Sequence, residues 1–458
     1  MFADNNRPIL IIDDCSIMSN ALRGMLQKMG YSADKIDLAD TAKMALALCA
    51  VKYYQLLVLD FNLGNRGING YQLLVILREE QLLPADCVTV VLTAEASLEM
   101  VRSFQELEPD SYLIKPISYK VLIQRLGDLM QRQRRLRELM IPRREQDLSK
   151  VLAIGQRLIR TRGAISLQAR FIMAEACLEA GDKEQAHHLL IGLKKTSVWN
   201  KAHIRLAQMA LQQADLPSVF ALVRPLQEDP LWCGMALTIK AEAYALQQQP
   251  NLALDSIRQA IALSPRSIER YWLQAFIEMA VFDLTSAKET ALRGLRFARF
   301  RQHEEESLQQ LLALLYLDLA ACGEPLEHQT YLGRFRQLSQ SWHGSRSTPM
   351  TQSIEAMLQA HAAIASGNPL CADSIIEQHR QLSGGVEVYQ MGLVEELEWE
   401  KLMVLPTKPE ILHEYYLTLK NDQLKNNKPA LMTTMKTYIS QWQASIPHDR
   451  MLTVFSIG

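Results

Sequence analysis

Two hydrophobic periods divide the chain. Up to about residue 115, short apolar runs alternate with stretches of helical spacing, and from about Leu148 onward the spacing is helical throughout. Four of the short runs each end on polar groups. Residues 8–12 lead into Asp13 and Asp14, 55–59 into Asp60, 87–92 into Thr93, and 111–114 into Lys115, which precedes Pro116. Runs that are apolar at successive positions suit strands covered on both faces, as in a parallel sheet. A fifth, shorter run occupies 35–38. Between the runs, Met18, Leu22, Met25, Leu26 and Met29 recur at helical spacing and Gly30 closes that helix. Thr41 caps a helix carrying Ala42, Ala45, Leu46 and Cys49; further helices span 71–78 and 97–106. Five βα units of this kind predict an α/β fold, a doubly wound parallel five-stranded sheet.

The last helix of this unit begins near Ser118 and continues. Leu122, Leu126, Leu129, Leu136 and Met140 step by fours and threes, with Gln133 in the one polar place, which is a heptad. Arg132, Arg134, Arg135, Arg137, Arg143 and Arg144 flank it, and Pro142 is expected to end it. Three roles stay open: a connector laid against the next domain, a dimerising coiled coil through 118–140, or a phosphate-binding patch. The last is disfavoured because no aromatics interleave the arginines.

Beyond it, a pattern of helix, short turn and helix recurs. A small or β-branched residue stands near the start of each second helix, at Ala186, Val219, Ala253 and Ala287, with separations of 33, 34 and 34 residues. Such a period marks stacked helical hairpins. The clearest unit spans 232–265, with Ala241, Tyr244, Ala260 and Pro265. Residues 325–350 read as a polar, irregular break and 355–382 as a further hairpin turning at Ser366. Glu395, Glu396, Glu398, Glu400 and later Trp442 fall on helices that cap the end, the acidic run being read as a solvated face, with a docking surface for a basic partner as the alternative.

Composition narrows the function classes. A length of 458 residues gives room for two or three domains, and a net charge of −1 argues against both a strongly basic nucleic-acid protein and an acidic disordered one. The first residues carry no basic-then-apolar signal pattern, and no apolar run reaches bilayer length. Seven cysteines without paired spacing read as reduced, buried thiols in a cytoplasm. His187 and His188 have no acidic or cysteine neighbour and read as surface. No phosphate-binding glycine loop, nucleophile elbow or zinc-protease motif is present, so the chain is not expected to be an enzyme.

The polar strand ends carry the chemistry. Open α/β sheets place their sites at the carboxyl ends of the strands. Singly, a strand-ending aspartate is often only a helix cap or turn residue; the set is what singles out a site. Three carboxylates held together resist ionisation unless a cation is present, and a hard ion on a few carboxylates with retained waters suits magnesium. A hydroxyl at Thr93 and an ammonium at Lys115 can hold an oxyanion. Together they make a site able to accept a phosphoryl group onto Asp60.

In this order, Asp13-Asp14, Asp60, Thr93-Ala94 and Lys115-Pro116 resemble the motifs of CheY-like receiver domains of bacterial two-component response regulators. The resemblance runs from residue 7 to about 127. It implies that Asp60 is the phospho-acceptor and that Asp13, Asp14, Asp60 and the Asn62 carbonyl hold Mg2+. It also implies that Thr93, Ala94 and Lys115 attend the phosphoryl group, that Thr93 and Tyr112 form a switch pair, and that the Lys115–Pro116 bond is cis. One departure touches the acceptor: Gly64 follows Leu63 where a proline or similar residue is usual, and Gly70 comes about two residues late, so the flanking loop is longer. The repeats resemble tetratricopeptide repeats, which implies a groove for a protein or peptide.

The expected organisation is a receiver over 1–127, a basic connector helix over 128–148, and tetratricopeptide-like repeats over 149–458, clearest at 165–300. The expected function is a cytoplasmic response regulator, phosphorylated by a sensor histidine kinase or phosphotransfer protein, that controls protein binding through its repeats. The alternatives are a phosphate sink for a kinase serving another regulator and, less favoured, a nucleic-acid-binding regulator.

Overall fold

The computed structural model describes residues 7–63, 68–84, 86–94, 109–161, 163–247, 249–281, 283–298, 302–322 and 325–340, with isolated positions between 355 and 375. The helix expected at 97–106, loop residues 64–67, most of the hairpin at 355–382 and the helices from Glu395 to Trp442 lie outside the described residues.

Five strands, β1 (Ile9–Ile12), β2 (Ile36–Ala39), β3 (Leu56–Asp60), β4 (Val88–Thr93) and β5 (Ser111–Ile114), form one sheet in the order β2-β1-β3-β4-β5. Every neighbouring pair is parallel, Ile9 lying beside both Ile36 and Leu56, Leu56 beside Val88, and Val90 beside Ser111. Alternation along the strands divides the apolar residues between two faces. Leu10, Ile12, Leu57, Leu59 and Val91 pack with Ala45, Cys49, Leu74 and Leu77 of α2 (Ala42–Val51) and α3 (Gly70–Glu79). Ile9, Ile11, Leu56, Val58, Val90 and Leu113 pack with Leu22 and Leu26 of α1 (Ser16–Lys28) and with Leu122, Leu126 and Leu129 of α4 (Tyr119–Arg144). Each fully buried aliphatic contributes about 1.5–3 kcal/mol, so both faces of the sheet are strongly held.

The helices meet the patterned expectations closely. Gly30, at φ 98°, follows α1 and returns its N–H to the Gln27 carbonyl, a left-handed turn that glycine makes without strain. Thr41 caps α2 by accepting from the Met44 N–H. Asn69 and Gln72 form a reciprocal capping box at the start of α3.

Helix α4 departs from the expectation at Pro142, which lies inside the helix instead of ending it. The turn that follows explains why. The Asp147 N–H bonds to the Pro142 carbonyl at 2.9 Å, a role that needs an oxygen and no N–H. The same turn recurs at Asp182 to Cys177, Asp215 to Ala210, Gln249 to Tyr244 and Asp283 to Glu278, at 2.8–2.9 Å. Before the cap, Gln146, Gly181 and Ala214 take positive φ of 57°, 81° and 56°, the left-handed residue of a Schellman-type close. Asp147, Asp182, Asp215 and Asp283 then each cap the next helix through the backbone N–H three residues on.

These turns join α4 to α5 (Leu148–Ile159), α6 (Ala164–Glu179) to α7 (Lys183–Ile191), and α8 (Trp199–Gln212) to α9 (Leu216–Val223). They also join α10 (Cys233–Leu246) to α11 (Pro250–Leu263), and α12 (Ile268–Ala280) to α13 (Leu284–Ala298). Ala186, Val219, Ala253 and Ala287 are fully buried, as small residues between close helices should be. At Gly155 a Cβ would sit 2.2 Å from the Met173 sulfur, so the glycine sets the approach of α5 to α6.

The described residues up to Ala236 belong to one compact unit and those from Leu237 onward to another, the division falling inside α10. The expected boundaries at 127 and 148 both lie within the first unit. There, Leu136, Leu139 and Met140 of α4 share a core with Val151, Phe171, Ala186, Leu190 and Leu206. In the second unit, α12 and α13 pack with α14 (Gln302–Cys322) and α15 (Pro325–Ser339). Of the irregular stretch expected at 325–350, residues 341–350 lie outside the described residues, and the first part is corrected by helix α15, Pro325–Ser339. Pro325 opens it, where a missing N–H costs nothing, and Leu332 and Phe335 bury at helical spacing. Cys49, Cys87, Cys177 and Cys233 are buried free thiols as expected, but Cys15 and Cys371 are exposed. His187 and His188 are exposed. Among the described residues, no helix is long and apolar enough to cross a membrane.

Candidate functional site

The strand order reverses between β1 and β3, which is where open α/β sheets hold their ligands, at the carboxyl ends of the strands. Asp13 and Asp14 follow β1, and Asp60 is the last residue of β3. Their carboxylates come together, with one oxygen from each of Asp13, Asp14 and Asp60 lying within 4.8 Å of the others. Asp13 and Asp60 are 1 % and 6 % exposed, while Asp14 faces solvent. Two buried carboxylates fix the site, and the third opens it to water.

Backbone bonds set the geometry. The Asp13 N–H donates to the Ala39 carbonyl, and its Oδ1 accepts the Cys15 N–H at 2.9 Å. Ser19 donates its hydroxyl to the Asp13 carbonyl. Lys115, directly after β5, spans the two buried acids, its ammonium 2.8 Å from Asp13 Oδ2 and 2.9 Å from Asp60 Oδ2. The Lys115 N–H donates to the Thr93 carbonyl, and the Lys115–Pro116 peptide is cis. Burial above all pushes the Asp60 carboxyl above its ordinary value, Lys115 and the Asn62 N–H oppose that, and the charge of Asp13 adds to it. Burial works against the Lys115 charge, but the bonds to Asp13 and Asp60 overcome it and hold its pKa above that of a free lysine. Asp60, whose carboxyl resists ionisation even with Lys115 beside it, has room, electrostatically, for a further cation.

Thr93 is buried at the end of β4, and Ala94 lies exposed in the bend after it. Tyr112 sits beside Val91, its ring half-buried against the α2–α3 face and its phenol oxygen inside. Asn62 is exposed two residues after Asp60. The structure thus gathers the Asp13, Asp14 and Asp60 carboxylates, with Lys115 on Asp13 and Asp60, and has Asn62, Thr93 and Ala94 at or just after the neighbouring strand ends.

One residue was noted in the sequence only for its late position. A Cβ on Gly70 would stand 2.1 Å from the Asp60 carbonyl oxygen and 3.0 Å from the Phe61 Cα, and the Gly70 N–H bonds the Phe61 carbonyl at 2.8 Å. The lengthened loop therefore closes with the start of α3 pressed on the backbone that carries Asp60. Nothing in the sequence of the loop signals this contact.

Residues 9–127 match the family model of the response regulator receiver domain. This part of the chain is a receiver domain. The receiver resembles chemotaxis protein CheY-3 of Vibrio cholerae, with 26 % identity over 129 residues, covering 28 % of this chain and 95 % of that protein. A longer match joins the chain to the virulence sensor protein BvgS of Bordetella bronchiseptica, 26 % identical over 279 residues. It takes in 58 % of this chain but only 21 % of the sensor, so the chain spans about a fifth of that relative's length. Among solved structures, the receiver domain of Francisella response regulator 1452 is 27 % identical, covering 28 % of this chain and 98 % of that one, with a TM-score of 0.25. CheY4 of Vibrio cholerae is 20 % identical and covers 27 % of this chain and 98 % of its own, also with a TM-score of 0.25. Receiver homology of this kind supports a phosphorelay response regulator.

Proposed function

We propose that the receiver accepts a phosphoryl group on Asp60 from a histidine kinase or phosphotransfer protein, and that the helical hairpins carry the output by binding protein. The observation behind this reading is the meeting of Asp13, Asp14, Asp60 and Lys115 at the reversal point of the sheet. In the transfer, an Asp60 oxygen forms the new O–P bond as the N–P bond to the donor histidine breaks. Lys115, already within 2.9 Å of that carboxylate, offsets charge on the incoming group. The three carboxylates fit Mg2+, held by Asp13, Asp14, Asp60 and the Asn62 carbonyl, which when bound supplies further charge neutralisation. Thr93 and Ala94 attend the phosphoryl oxygens, and Thr93 with Tyr112 reports its presence.

The reading of the hairpins as tetratricopeptide-like rests on the recurrent turn, its period of 33 to 35 residues, and the buried small residues. For α4, packing favours the connector role over a coiled-coil dimer. Leu122, Leu126 and Leu129 are used against the sheet, and Leu136 and Met140 against α5–α8. Its basic face is also engaged, since Arg132, Arg137 and Arg143 pair with Asp110, Asp86 and Glu179, which counts against a nucleic-acid surface.

The test is incubation of the full chain with phosphoramidate and Mg2+, followed by phosphate-affinity electrophoresis. Wild type shifts, while Asp60→Ala and wild type in EDTA do not. A shift that persists in Asp60→Ala overturns the acceptor assignment. Rapid loss of the shifted band, with no change in the hairpins, favours the phosphate sink.

A further inference from the structure

The strands that carry the site are anchored at their far ends to α4. Asp110 immediately precedes β5, the strand leading to Tyr112 and Lys115, and Asp86 lies two residues before β4, the strand ending at Thr93. Asp110 accepts the Thr89 N–H at 2.8 Å and lies 3.7 Å from the Arg132 guanidinium. Asp86 is shared by Arg7 and Arg137, with Arg137 Nε at 3.1 Å. The Asp110 and Asp86 side chains are only 6 % and 12 % exposed, against 26 % and 41 % for Arg132 and Arg137, so the acid of each pair is largely covered.

Arg132 and Arg137 sit on the stretch of α4 where its packing changes partner. Up to Leu129 the helix buries residues against the sheet, and from Leu136 onward against α5–α8. Gln133, the polar break in the heptad, lies between, its amide donating only to the Met140 sulfur. Beside it opens a cavity of about 520 Å³ lined by Arg7, Asp86, Gln133 and Arg137. Both ion pairs fall at this changeover. Farther along, Arg143 reaches Glu179 at 2.6 Å and Glu175 at 3.8 Å, and Glu175 is held in turn by Arg205 of α8.

We infer that Arg132 and Arg137 are positioning residues that transmit displacements of β4 and β5 to the first helical hairpins, through α4 as the first helix of that array. The inference rests on the proposed acceptor role of Asp60 for its input, and its mechanical part stands apart from that role. Each arginine grips one of the two strands that bear Thr93, Tyr112 and Lys115. The far half of the same helix begins the series of hairpin turns. A shift of either strand along its axis pulls on its charged contact with α4.

The test uses the full chain, as wild type and as the Arg132→Met/Arg137→Met double variant, which keeps the aliphatic stems. Hydrogen exchange is followed with and without beryllofluoride and Mg2+, and acyl-phosphate formation is measured in parallel. Wild type should change its protection in α6 and α8 as well as in the receiver. The double variant should keep the receiver change and a phosphorylation rate within about twofold, while the change in α6 and α8 falls by at least half. Equal changes in α6 and α8 in both proteins overturn the inference, as does a wild-type change that stops before residue 127. If the double variant does not fold, Arg137→Lys, which keeps the charge and loses the planar fork, is expected to show the same reduction, and an undiminished response there also overturns it. Failure of the acceptor reading is seen separately, as no acyl phosphate on wild type. The decision then falls to calorimetry without phosphodonor: receiver and α5–α9 transitions that coincide in wild type and separate in the variant support the coupling, and transitions unchanged between the two overturn it.

Discussion

Replacing Glu175 by Gln removes the anion from a fully covered charge cluster on α6. Glu175 has no exposed surface, and its two oxygens accept from Arg205 Nε at 2.8 Å and Nη2 at 2.9 Å. The Arg205 side chain is itself only 6 % exposed. In the variant the amide oxygen left at position 175 can still accept from it, and Gln208 Oε1 lies at 2.9 Å, but neither carries a charge. Arg143 is better placed because Glu179 remains to it. The cost is therefore that of one buried cation losing its carboxylate, about 3–5 kcal/mol. For a unit of roughly 150–250 residues, about 2–4 °C of Tm is lost per kcal/mol, so the first unit should melt roughly 6–20 °C lower. Differential scanning calorimetry on the full chain reads this directly. The double variant Glu175→Leu/Arg205→Met should recover most of the loss, because a packed apolar pair replaces a buried ionic one at little cost. A Glu175→Gln loss below about 1 kcal/mol, the range of a solvated surface pair, would refute the reasoning.

Gly70→Ala drives a methyl group into the Asp60 carbonyl and should cost about 1–3 kcal/mol or more while slowing phosphorylation, read by chemical denaturation and donor kinetics. Burial pushes Glu242 up to about 8 from an ordinary 4.5. The folded protein then holds a proton that the unfolded chain releases, so stability falls as pH rises from about 4.5 to about 8; Glu242→Gln should flatten that slope and melt higher at pH 8.5. Lys115→Met should slow acyl-phosphate formation roughly 10²-fold, the scale of losing one charge-stabilising group, measured with phosphoramidate as donor. Mg2+ should raise the Tm of the receiver. That increment should shrink on acidification from a pH above the usual aspartate range, because the Asp60 pKa is raised and its proton competes with the metal.

The sheet and the acid cluster were legible because each depends on local sequence. An apolar run such as Leu56–Leu59, ending in a carboxylate, states both strand and site, and the order of Asp13, Asp60, Thr93 and Lys115 fixes which strand ends converge. What escaped depends on contacts remote in sequence. In the sequence Arg132 and Arg137 only flank a heptad, and nothing there places Asp110 and Asp86 beside them. Gly70 looked merely displaced, because nothing in the loop reveals that its Cα rests on the Asp60 backbone. Pro142 was taken as a stop because proline lacks an N–H, whereas the turn there asks only for its carbonyl. The signal that a hairpin begins at α4 was Asp147, 35 residues before Asp182 and capping in the same way. At 325–339, abundant polar residues masked a helix whose buried side consists of little more than Leu332 and Phe335.

The central claim is that Asp60 is the acceptor, and it is tested most directly by trapping the adduct. The full chain is treated with phosphoramidate and Mg2+, reduced with borohydride, digested and read by tandem mass spectrometry. An acyl phosphate on an aspartate is converted to homoserine, and the account predicts that conversion at position 60, with none in EDTA. Homoserine at position 13 or 14 with Asp60 unchanged, or no conversion anywhere in the chain, would contradict it.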